Sequence, residues 1–591
     1  MITNTASSRS VEDSQQLMGK ACCNVVERAS GGSVSCPVEF ENQVDLQYGG
    51  LLVALPALIA CGLLKGISRF DLSKVYYTTQ QIFLSLAFMV LLRVKQLEQS
   101  RLISCGELGR CLGMDRTPCV QILRNRLNDF TDVADVHEWS LELSRQWMQD
   151  DNLDGVLYVD GHVNIYYGKS VHMPERYVSR MRLCMSGSTD YWVNGAIGQP
   201  YFVVHKTINE NIIKTLRNDI IPELDKSVPH QPTVAELEAD PFLHRYMLVF
   251  DREGYSVPFF IELKNQRIAF CTYRKNVKED WDISEFKEYT VEDKTEGSVR
   301  MKLAERGVYL TTTKKKGKPQ EGIWVREVRK LSDSGHQTSI ITTNFNLSIT
   351  DIGLYMFARW CQENYFKYAT ESFGIDFLIS NKKNSIPDTY TIPNPDYISL
   401  NKQHKSISGK LAKHKLKLAE KVIEMENEEL DEKVMKKYLR KKGEIFQTVE
   451  LLTEEHDSIK QKKKEIPERI EISDAEPFKG ALTVINDQKQ LIDTIKMIGY
   501  WAESSLANEI RPLMCKPEVA RNLIRSIYQS SADLEVDKQN GRLIVLLHNS
   551  NFAADDNIIR ELFNNLNKTE TPFPGSNLIL FYKLVSDKFQ R

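Results

Sequence analysis

Cysteine is the residue whose scarcity is most informative in this chain. Eleven cysteines are scattered over 591 residues, and no two of them form a CxxC pair. This density is far below that of secreted domains stabilised by disulfides. We therefore expect reduced thiols and a fold stabilised by buried apolar cores. The chain is long enough for about four domains, each with a core of its own.

An excess of charge of one sign is also lacking. Lys and Arg together number 77, and Asp and Glu number 79, so the formal net charge is −2. A uniformly basic protein that coats nucleic acid is therefore excluded, although a local basic surface is not.

Long hydrophobic runs are missing as well. The most apolar run is Gly49–Leu64, which contains Pro56, and the next is Ile82–Leu92. Both are shorter than the roughly 20 residues that a membrane-spanning helix needs. Residues 1–45 are polar and lack the basic-then-apolar order of a signal peptide. We expect two buried core helices, no membrane association and a cytoplasmic location.

The pattern of apolar and polar residues changes several times along the chain and predicts a multidomain α+β protein. Long helical periodicity precedes residue 150, short strand-like runs follow from Gly155, and charged helical sequence occupies 402–465. The predicted regions are 1–45, a polar tail; 46–150, helical; 151–275, a mixed αβ core; 276–346, a β-rich insertion; 347–400, the rest of the core; 401–470, a charged helical arm; and 471–591, a region of unknown role.

Ser104–Asn128 has the layout of a helix-turn-helix. The pattern predicts a first helix, a turn at Gly113 and a second helix capped by Asp115 or Thr117. The second helix of such a motif can enter the DNA major groove, and a plain helical hairpin is the alternative. The exposed residues that would contact DNA are Arg116, Gln121 and Arg124.

Three carboxylates stand out by position. Asp160 and Asp251 each end a predicted apolar strand, and Glu363 lies on a later helix. A charge beside buried strands is costly unless it is paired or binds a cation. Oxygen ligands of this kind suit Mg²⁺ or Mn²⁺, and two such ions could activate a water or a 3′-hydroxyl at a phosphodiester.

Simpler interpretations exist for each acid taken alone. An Asp at a strand end is often a turn former. Glu363 also has Arg359 and Lys367 four residues away on either side, so helix ion pairing would account for it. The joint order of strand acid, strand acid and helix acid favours a shared site.

The surroundings of these acids resemble those of the DDE transposases of bacterial insertion sequences. Phe250–Ser256 (FDREGYS) is similar to the motif around the second acid of that family, and Arg359–Lys367 (RWCQENYFK) resembles its Arg-x-x-x-Glu helix signature. The strand-rich stretch between Asp251 and Glu363 is similar to the β-insertion of one subgroup. The resemblance covers about residues 45–400.

The resemblance implies an RNase H-like core, catalytic Asp160, Asp251 and Glu363, and two Mg²⁺ (or Mn²⁺) ions bound by these acids. It implies cleavage of transposon-end DNA and strand transfer into target DNA, by a homodimer in a synaptic complex of a prokaryotic, nucleoid-associated protein. An RNase H-like nuclease without strand transfer, or a non-catalytic DNA-binding regulator, remains the alternative. Further candidate DNA contacts are Arg252, Arg359, Lys367 and Trp324.

Trp324 lies in a locally basic stretch. Residues 311–330 hold seven Lys or Arg against two acids, Glu321 and Glu327. A basic surface with an aromatic residue can stack on bases, whereas a core or hairpin position is the alternative for Trp324.

Overall fold

The computed structural model describes residues 35–588. Short gaps within this range are 74, 152–154, 168–174, 179–182, 278, 294–296, 313–320, 358–359, 378–382, 386–390, 428–431, 472–473, 475–481 and 485–486. The structure has helices and mixed sheets in several packed regions, which confirms the predicted α+β class. Among the described residues, no helix is both long enough and apolar enough to cross a membrane.

The N-terminal part is helical, as its periodicity predicts. The apolar run Ile82–Leu92 falls in a helix whose residues are nearly all buried, and Thr78 and Gln81 close a capping box at its start. The elements are a short strand β1 (Gln43–Leu46) and the helices α1 (Leu55–Ala60), α2 (Thr79–Leu91), α3 (Cys105–Cys111), α4 (Val120–Val133) and α5 (Val136–Asp150).

The two helices predicted over Ser104–Asn128 are present as α3 and α4, with Gly113 in the left-handed conformation between them. The predicted caps are wrong. Cys119 is the N-cap of α4, and it makes no side-chain capping bond. Thr117 is buried and its hydroxyl donates to the Cys105 carbonyl at 3.5 Å. The hydroxyl is therefore used in a contact with α3 and does not cap α4.

A ten-stranded mixed sheet forms the centre of the molecule. Its order is β3-β4-β2-β6-β7-β11-β10-β9-β8, with β5 also paired to β4. The strands are β2 (Val156–Ile165), β3 (Glu175–Val178), β4 (Leu183–Asn194), β5 (Pro200–Thr207), β6 (Met247–Phe250), β7 (Ala269–Tyr273), β8 (Lys287–Asp293), β9 (Gly297–Thr311), β10 (Gly322–Leu331) and β11 (Gln337–Thr342).

The first strand of the core, β2, lies in the middle of this sheet. It is antiparallel to β4 and parallel to β6, and β6 is in turn parallel to β7. The strands of the predicted insertion do not form a separate sheet. They extend the core sheet from its β7 edge, because β11 pairs with β7 and β10, β9 and β8 follow as antiparallel neighbours.

Helices cover both faces of the sheet, which buries the alternating side chains of its strands. Val159 and Phe250 belong to the larger core on one face, and Tyr158 and Val249 to the smaller core on the other. The helices are α6 (Ile212–Thr215), α7 (Ile221–Ser227), α8 (Val234–Ala239), α9 (Val257–Asn265), α10 (Ile349–Phe357) and α11 (Trp360–Phe373).

Two of these helices replace one that the sequence predicts over Thr350–Thr370. α10 begins at Ile349, and the Ser348 hydroxyl accepts the backbone N–H of Asp351 at 3.0 Å, so Ser348 rather than Thr350 caps it. α11 begins again at Trp360 and carries Glu363.

The charged arm is an antiparallel helical hairpin. Two small two-stranded sheets lie at its base. The helices are α12 (Pro395–Asn427) and α13 (Glu432–Glu465), and the strands are β12 (Lys383–Ser385), β13 (Thr391–Pro393), β14 (Arg469–Glu471) and β15 (Leu482–Val484), paired β12-β15 and β13-β14.

The C-terminal part packs into the rest of the molecule. Its first helix is buried along most of its length and contacts α1, α2, α5 and β5. Its sheet has the order β1-β16-β17-β18, so the N-terminal strand forms one edge. The elements are α14 (Asp487–Ile510), α15 (Ala520–Gln529), β16 (Ala532–Asp537), β17 (Arg542–Leu547), α16 (Ala553–Lys568) and β18 (Ile579–Leu584).

Candidate active site

Asp160 and Asp251 lie on neighbouring parallel strands at the same level. β2 and β6 pair with Val159 opposite Phe250, and each Asp is the next residue along the chain. Neighbouring strands are about 4.8 Å apart. The two carboxyl groups, both partly buried, therefore leave the sheet side by side.

The strand ends differ from the prediction for Asp160. β6 does end at Phe250, so Asp251 follows a strand as expected. β2 continues for five residues beyond Asp160, since its antiparallel pairing with β4 runs on to Ile165. Asp160 thus lies just after the point where β2 stops pairing with β6, while its pairing with β4 continues.

Short-range hydrogen bonds orient both carboxylates. Oδ1 of Asp160 accepts the backbone N–H of Gly161 at 2.9 Å, and Oδ1 of Asp251 accepts that of Arg252 at 2.6 Å. In this way Asp251 caps the short helical turn Arg252–Gly254. A carboxylate held by its own backbone keeps a defined direction relative to the sheet.

Helix α11 packs on the sheet face that carries Asp160. The Gln362 amide donates to Asn194 Oδ1 at 2.9 Å, and the rings of Tyr365 and Trp192 have centroids 5.6 Å apart. Trp192 pairs directly with Asp160 across β4 and β2. Because paired residues of antiparallel strands point to the same face, α11 and the Asp160 carboxyl share that face.

Glu363 is on the flank of α11 nearest β2. Phe366, three residues further along the helix, stacks on His162 of β2 with ring centroids 5.3 Å apart. Residues three apart on a helix are neighbours on its surface, and His162 and Asp160 are on the same side of their strand. Glu363 is exposed. The fold therefore places Glu363 on the sheet face that carries Asp160, beside strand β2.

The oxygens of the three predicted acids are not drawn into one tight group. In the described part of the chain, the only set of three His, Cys, Asp or Glu residues whose ligand atoms lie within 4.8 Å of one another is Asp190, His205 and Asp493. The ligand atoms of the three predicted acids thus do not all lie within 4.8 Å of one another.

The predicted basic neighbours of the acids are placed unevenly. Arg252 is exposed, with its guanidinium 5.2 Å from the Tyr273 ring centroid. Lys367 is exposed one helical turn after Glu363. Arg359 lies outside the described residues. Two of the three predicted cations are thus exposed to solvent.

Trp324 lies on the inserted strands with its side chain 58% exposed, against Tyr309 of the neighbouring strand at a ring-centroid distance of 5.3 Å. It is therefore a surface aromatic. Several basic residues of the same stretch have structural partners: Arg326 pairs with Glu305, and Arg329 is buried against Glu327. Residues 313–320 lie outside the described residues.

The residues proposed to read DNA on the helix-turn-helix are at or near its surface. Arg116 is exposed, Gln121 donates to Asn125 at 3.0 Å, and Arg124 is half-buried and pairs with Glu98. Residues 112–119 separate the two helices, a longer connection than the three or four residues usual in this motif.

A buried ion network, Asp190, His205, Lys489, Asp493 and Lys496, was not predicted from the sequence. Lys489 bridges Asp190, at 3.0 Å, and Asp493, while Asp493 and Lys496 approach to 3.5 Å. His205 Nδ1 is 2.7 Å from Asp190. Every side chain of the set is at most 3% exposed, so strand β4, strand β5 and helix α14 are joined by charges in the interior.

The two lysines also bind the end of the helix that carries Glu363. Nζ of Lys489 donates to the Ile375 carbonyl and Nζ of Lys496 to the Gly374 carbonyl, both at 2.8 Å. Gly374 adopts the left-handed conformation that ends α11. Cations at a helix C-terminus are favourable because carbonyl dipoles accumulate there.

Burial and pairing shift the pKa values in this network in opposite directions. The cations around Asp190 hold its pKa well below the ordinary range against the opposing effect of burial. Burial opposes a rise in the pKa of Lys489, but its two Asp partners raise it above its ordinary value. For Lys496 burial dominates, and its pKa falls to about 8.

The sequence held only a weak signal of this network. Lys489 and Asp493 are four residues apart, the spacing of an ordinary surface ion pair on a helix. Their charge gave no indication that α14 lies in the interior.

The donor chemistry separates the two groups of acids. Asp160, Asp251 and Glu363 offer carboxylate oxygens only, the ligands that Mg²⁺ prefers, and they are partly buried or exposed rather than enclosed. Between Asp190 and Asp493 a lysine ammonium already supplies the positive charge. The residues of the open set fit a divalent cation, and those of the buried set do not.

Comparison with known proteins identifies the family of the chain. A family model described as "Transposase protein" matches residues 19–586. A search of curated proteins finds no match. Because the family match covers nearly the whole chain, including the acids, the arm and the C-terminal sheet, this chain belongs to that family of transposases.

Proposed function

We propose that this transposase is of the DDE type, with an RNase H-like core in which Asp160, Asp251 and Glu363 form the active site. The observation that carries the proposal is the level placement of Asp160 and Asp251 on adjacent parallel strands. The pairing of β2, which is antiparallel to β4 and parallel to β6, also supports the proposal. Glu363 on a helix over the same face completes the order that the resemblance implies.

The proposed reaction is phosphoryl transfer on DNA. In cleavage, a water oxygen forms a bond to phosphorus and the bond to the 3′ oxygen breaks, which leaves a 3′-hydroxyl. In strand transfer, the oxygen of that hydroxyl forms a bond to a phosphorus of the target DNA, and the bond from this phosphorus to the target 3′ oxygen breaks. The proton of the attacking hydroxyl passes to the released 3′ oxygen. The substrate would be element ends with inverted repeats, as in bacterial insertion sequences, held by a homodimer.

The chain's own residues have distinct tasks in this proposal. Asp160, Asp251 and Glu363 would hold two Mg²⁺ or Mn²⁺ ions, which would supply charge neutralisation at the attacking and leaving oxygens. Arg252, Lys367 and Arg359 would hold phosphate oxygens through charge-assisted hydrogen bonds. The backbone N–H bonds to Oδ1 of Asp160 and of Asp251 would help to orient the two carboxylates toward the ions.

The test measures cleavage and joining of duplex DNA that carries the repeats flanking the coding region. We expect Asp160→Asn, Asp251→Asn and Glu363→Gln each to lower both reactions by about 10³-fold or more. The matched controls are Asp333→Asn in the β10–β11 turn and Glu371→Gln on α11, both exposed. The proposal would be overturned if all three acid variants kept their activity. If the wild-type protein cleaved the DNA without joining it, a nuclease would be favoured.

DNA recognition by α4 and the insertion is a separate part of the proposal. We expect Arg116→Ala and Gln121→Ala to weaken binding to repeat DNA more than to unrelated DNA, since groove contacts carry sequence information. Trp324→Ala should weaken both, because base stacking tolerates any sequence. Equal losses on both DNAs for the α4 variants would show that α4 does not read sequence.

A further inference from the structure

The outer surface of the arm helix α13 carries a second apolar stripe. The inner stripe, which faces α12, includes Ile445, Val449 and the buried Ile459. On another side of the same helix, Leu439 is 50% and Phe446 is 56% exposed. They are seven residues apart, and Gly443 lies between them on the same side, the spacing of a helix-pairing seam.

Gly443 marks a place where another backbone could come close. A Cβ built on this glycine meets nothing within 4 Å. A glycine in a helix interior costs about 1 kcal/mol relative to alanine, and a close helix crossing is one reason to have one. The stripe Leu439–Gly443–Phe446 is thus shaped like the centre of a helix–helix contact with nothing of this chain against it in the described residues.

The charges of α13 reverse sign at the same glycine. Residues 433–442 contain six Lys or Arg and no acid, and residues 444–457 contain five acids and no Lys or Arg. If a second α13 crossed antiparallel at Gly443, the basic segment of each copy would face the acidic segment of the other. Lys436 and Glu450, both exposed and both seven residues from Gly443, would then face each other twice.

In the other arm helix, α12, a basic segment also precedes an acidic one. Residues 402–421 of α12 hold seven Lys against one acid, and residues 422–427 hold two acids and no base. The rings of His404 and His456, with centroids 4.6 Å apart, show which parts of α12 and α13 lie side by side. Counting from that pair, the basic part of α12 lies beside the acidic part of α13, so the inward charges are matched within one arm. On the stripe side of α13, the exposed Lys436 and Arg440 precede Gly443, and the exposed Glu450, Glu454 and Asp457 follow it.

We propose that the arm is a self-association element, in which α13 of one chain pairs antiparallel with α13 of a second copy about the stripe Leu439–Gly443–Phe446. The self-complementary charge pattern specifies a second copy of this chain as the occupant, since a two-fold contact presents each surface to itself. The contact requires neither DNA nor a metal.

The first experiment measures the oligomeric state of the full chain by sedimentation velocity without DNA. We expect a reversible dimer at micromolar concentration that weakens as salt is raised, because the paired charges are at the surface. The double variant Leu439→Glu, Phe446→Glu should weaken the dimer by about 100-fold or more, as expected when a buried apolar centre is lost. Leu451→Glu is the matched control, because Leu451 is 67% exposed on the same helix but off the stripe.

The second experiment tests the antiparallel register by charge exchange. Lys436→Glu alone and Glu450→Lys alone should each weaken self-association by about tenfold, because each creates two like-charge pairs. An equimolar mixture of the two variants should regain a heterodimer of wild-type stability. A monomeric wild-type chain, a dimer insensitive to the stripe variants, or a mixture that does not recover would each overturn the proposal.

Discussion

Two groups of acids lie on the same face of the central sheet and differ in almost every physical respect. Asp190 is two residues from Trp192, the cross-strand partner of Asp160, so the buried network and the candidate active site are neighbours. In the network, two carboxylates are enclosed with two lysines. In the candidate site, three carboxylates are partly buried or exposed.

The difference follows from the cost of burying charge. A carboxylate removed from water is tolerated only when a cation is fixed beside it, and Lys489 and Lys496 provide this for Asp190 and Asp493. Such a set joins elements and has no capacity left for a ligand. Acids that remain open to solvent keep that capacity. We infer that the network positions α11 from one end while the open acids serve the reaction.

Removal of a buried lysine is the most severe way to test this contrast. Lys489→Met leaves Asp190 and Asp493 in the interior without their shared cation, so we expect a loss of about 3–5 kcal/mol of stability. Urea denaturation of the full chain measures it. The exposed Lys538→Met is the control and should change little. If both variants unfold at the same urea concentration, the network is not structural.

The pH dependence of stability tests the same network through Lys496. Its pKa in the folded chain is about 8, below the ordinary 10.5. Between these values the unfolded chain holds a proton that the folded chain has released, so stability rises with pH across this window, by about 3 kcal/mol at most. The charges that face Lys496 are those of Asp493, Lys489 and Asp376.

The other shifted groups of the network act outside that window. The raised pKa of Lys489 gives stability that is lost only as pH rises above its ordinary value, and the lowered pKa of Asp190 gives stability that is lost only in strong acid. The wild-type melting temperature should therefore rise relative to Lys496→Met between pH 8 and 10. Parallel curves for the two proteins would contradict the assigned pKa.

The two groups also differ in how far sequence could predict them. Asp251 follows its strand and Glu363 lies on its helix as the sequence indicated, because apolar strand runs and helix periodicity are local signals. The strand-like runs on either side of Asp160 form one continuous strand, β2, because the pairing with β4 continues through Gly161. Whether the three acids bind metal stays a prediction.

The buried network could not have been predicted, because its contacts join residues about 300 positions apart. Asp190 and Lys489 look like surface charges in their own segments, and only the docking of α14 on β4 and β5 removes them from water. The same limit applies to the N-terminal strand β1, which finds its partner in the C-terminal sheet. Tertiary packing overrode the local pattern in both cases.

Mg²⁺ should stabilise the protein through the open acids and not through the network. Ligand binding to the folded state adds about 2.7 kcal/mol when its concentration is roughly a hundredfold above the dissociation constant. We expect the melting temperature to rise with Mg²⁺ in the wild type and in Lys489→Met, but not in Asp160→Asn. A Mg²⁺ effect that survives Asp160→Asn and disappears in Lys489→Met would reverse the roles of the two groups.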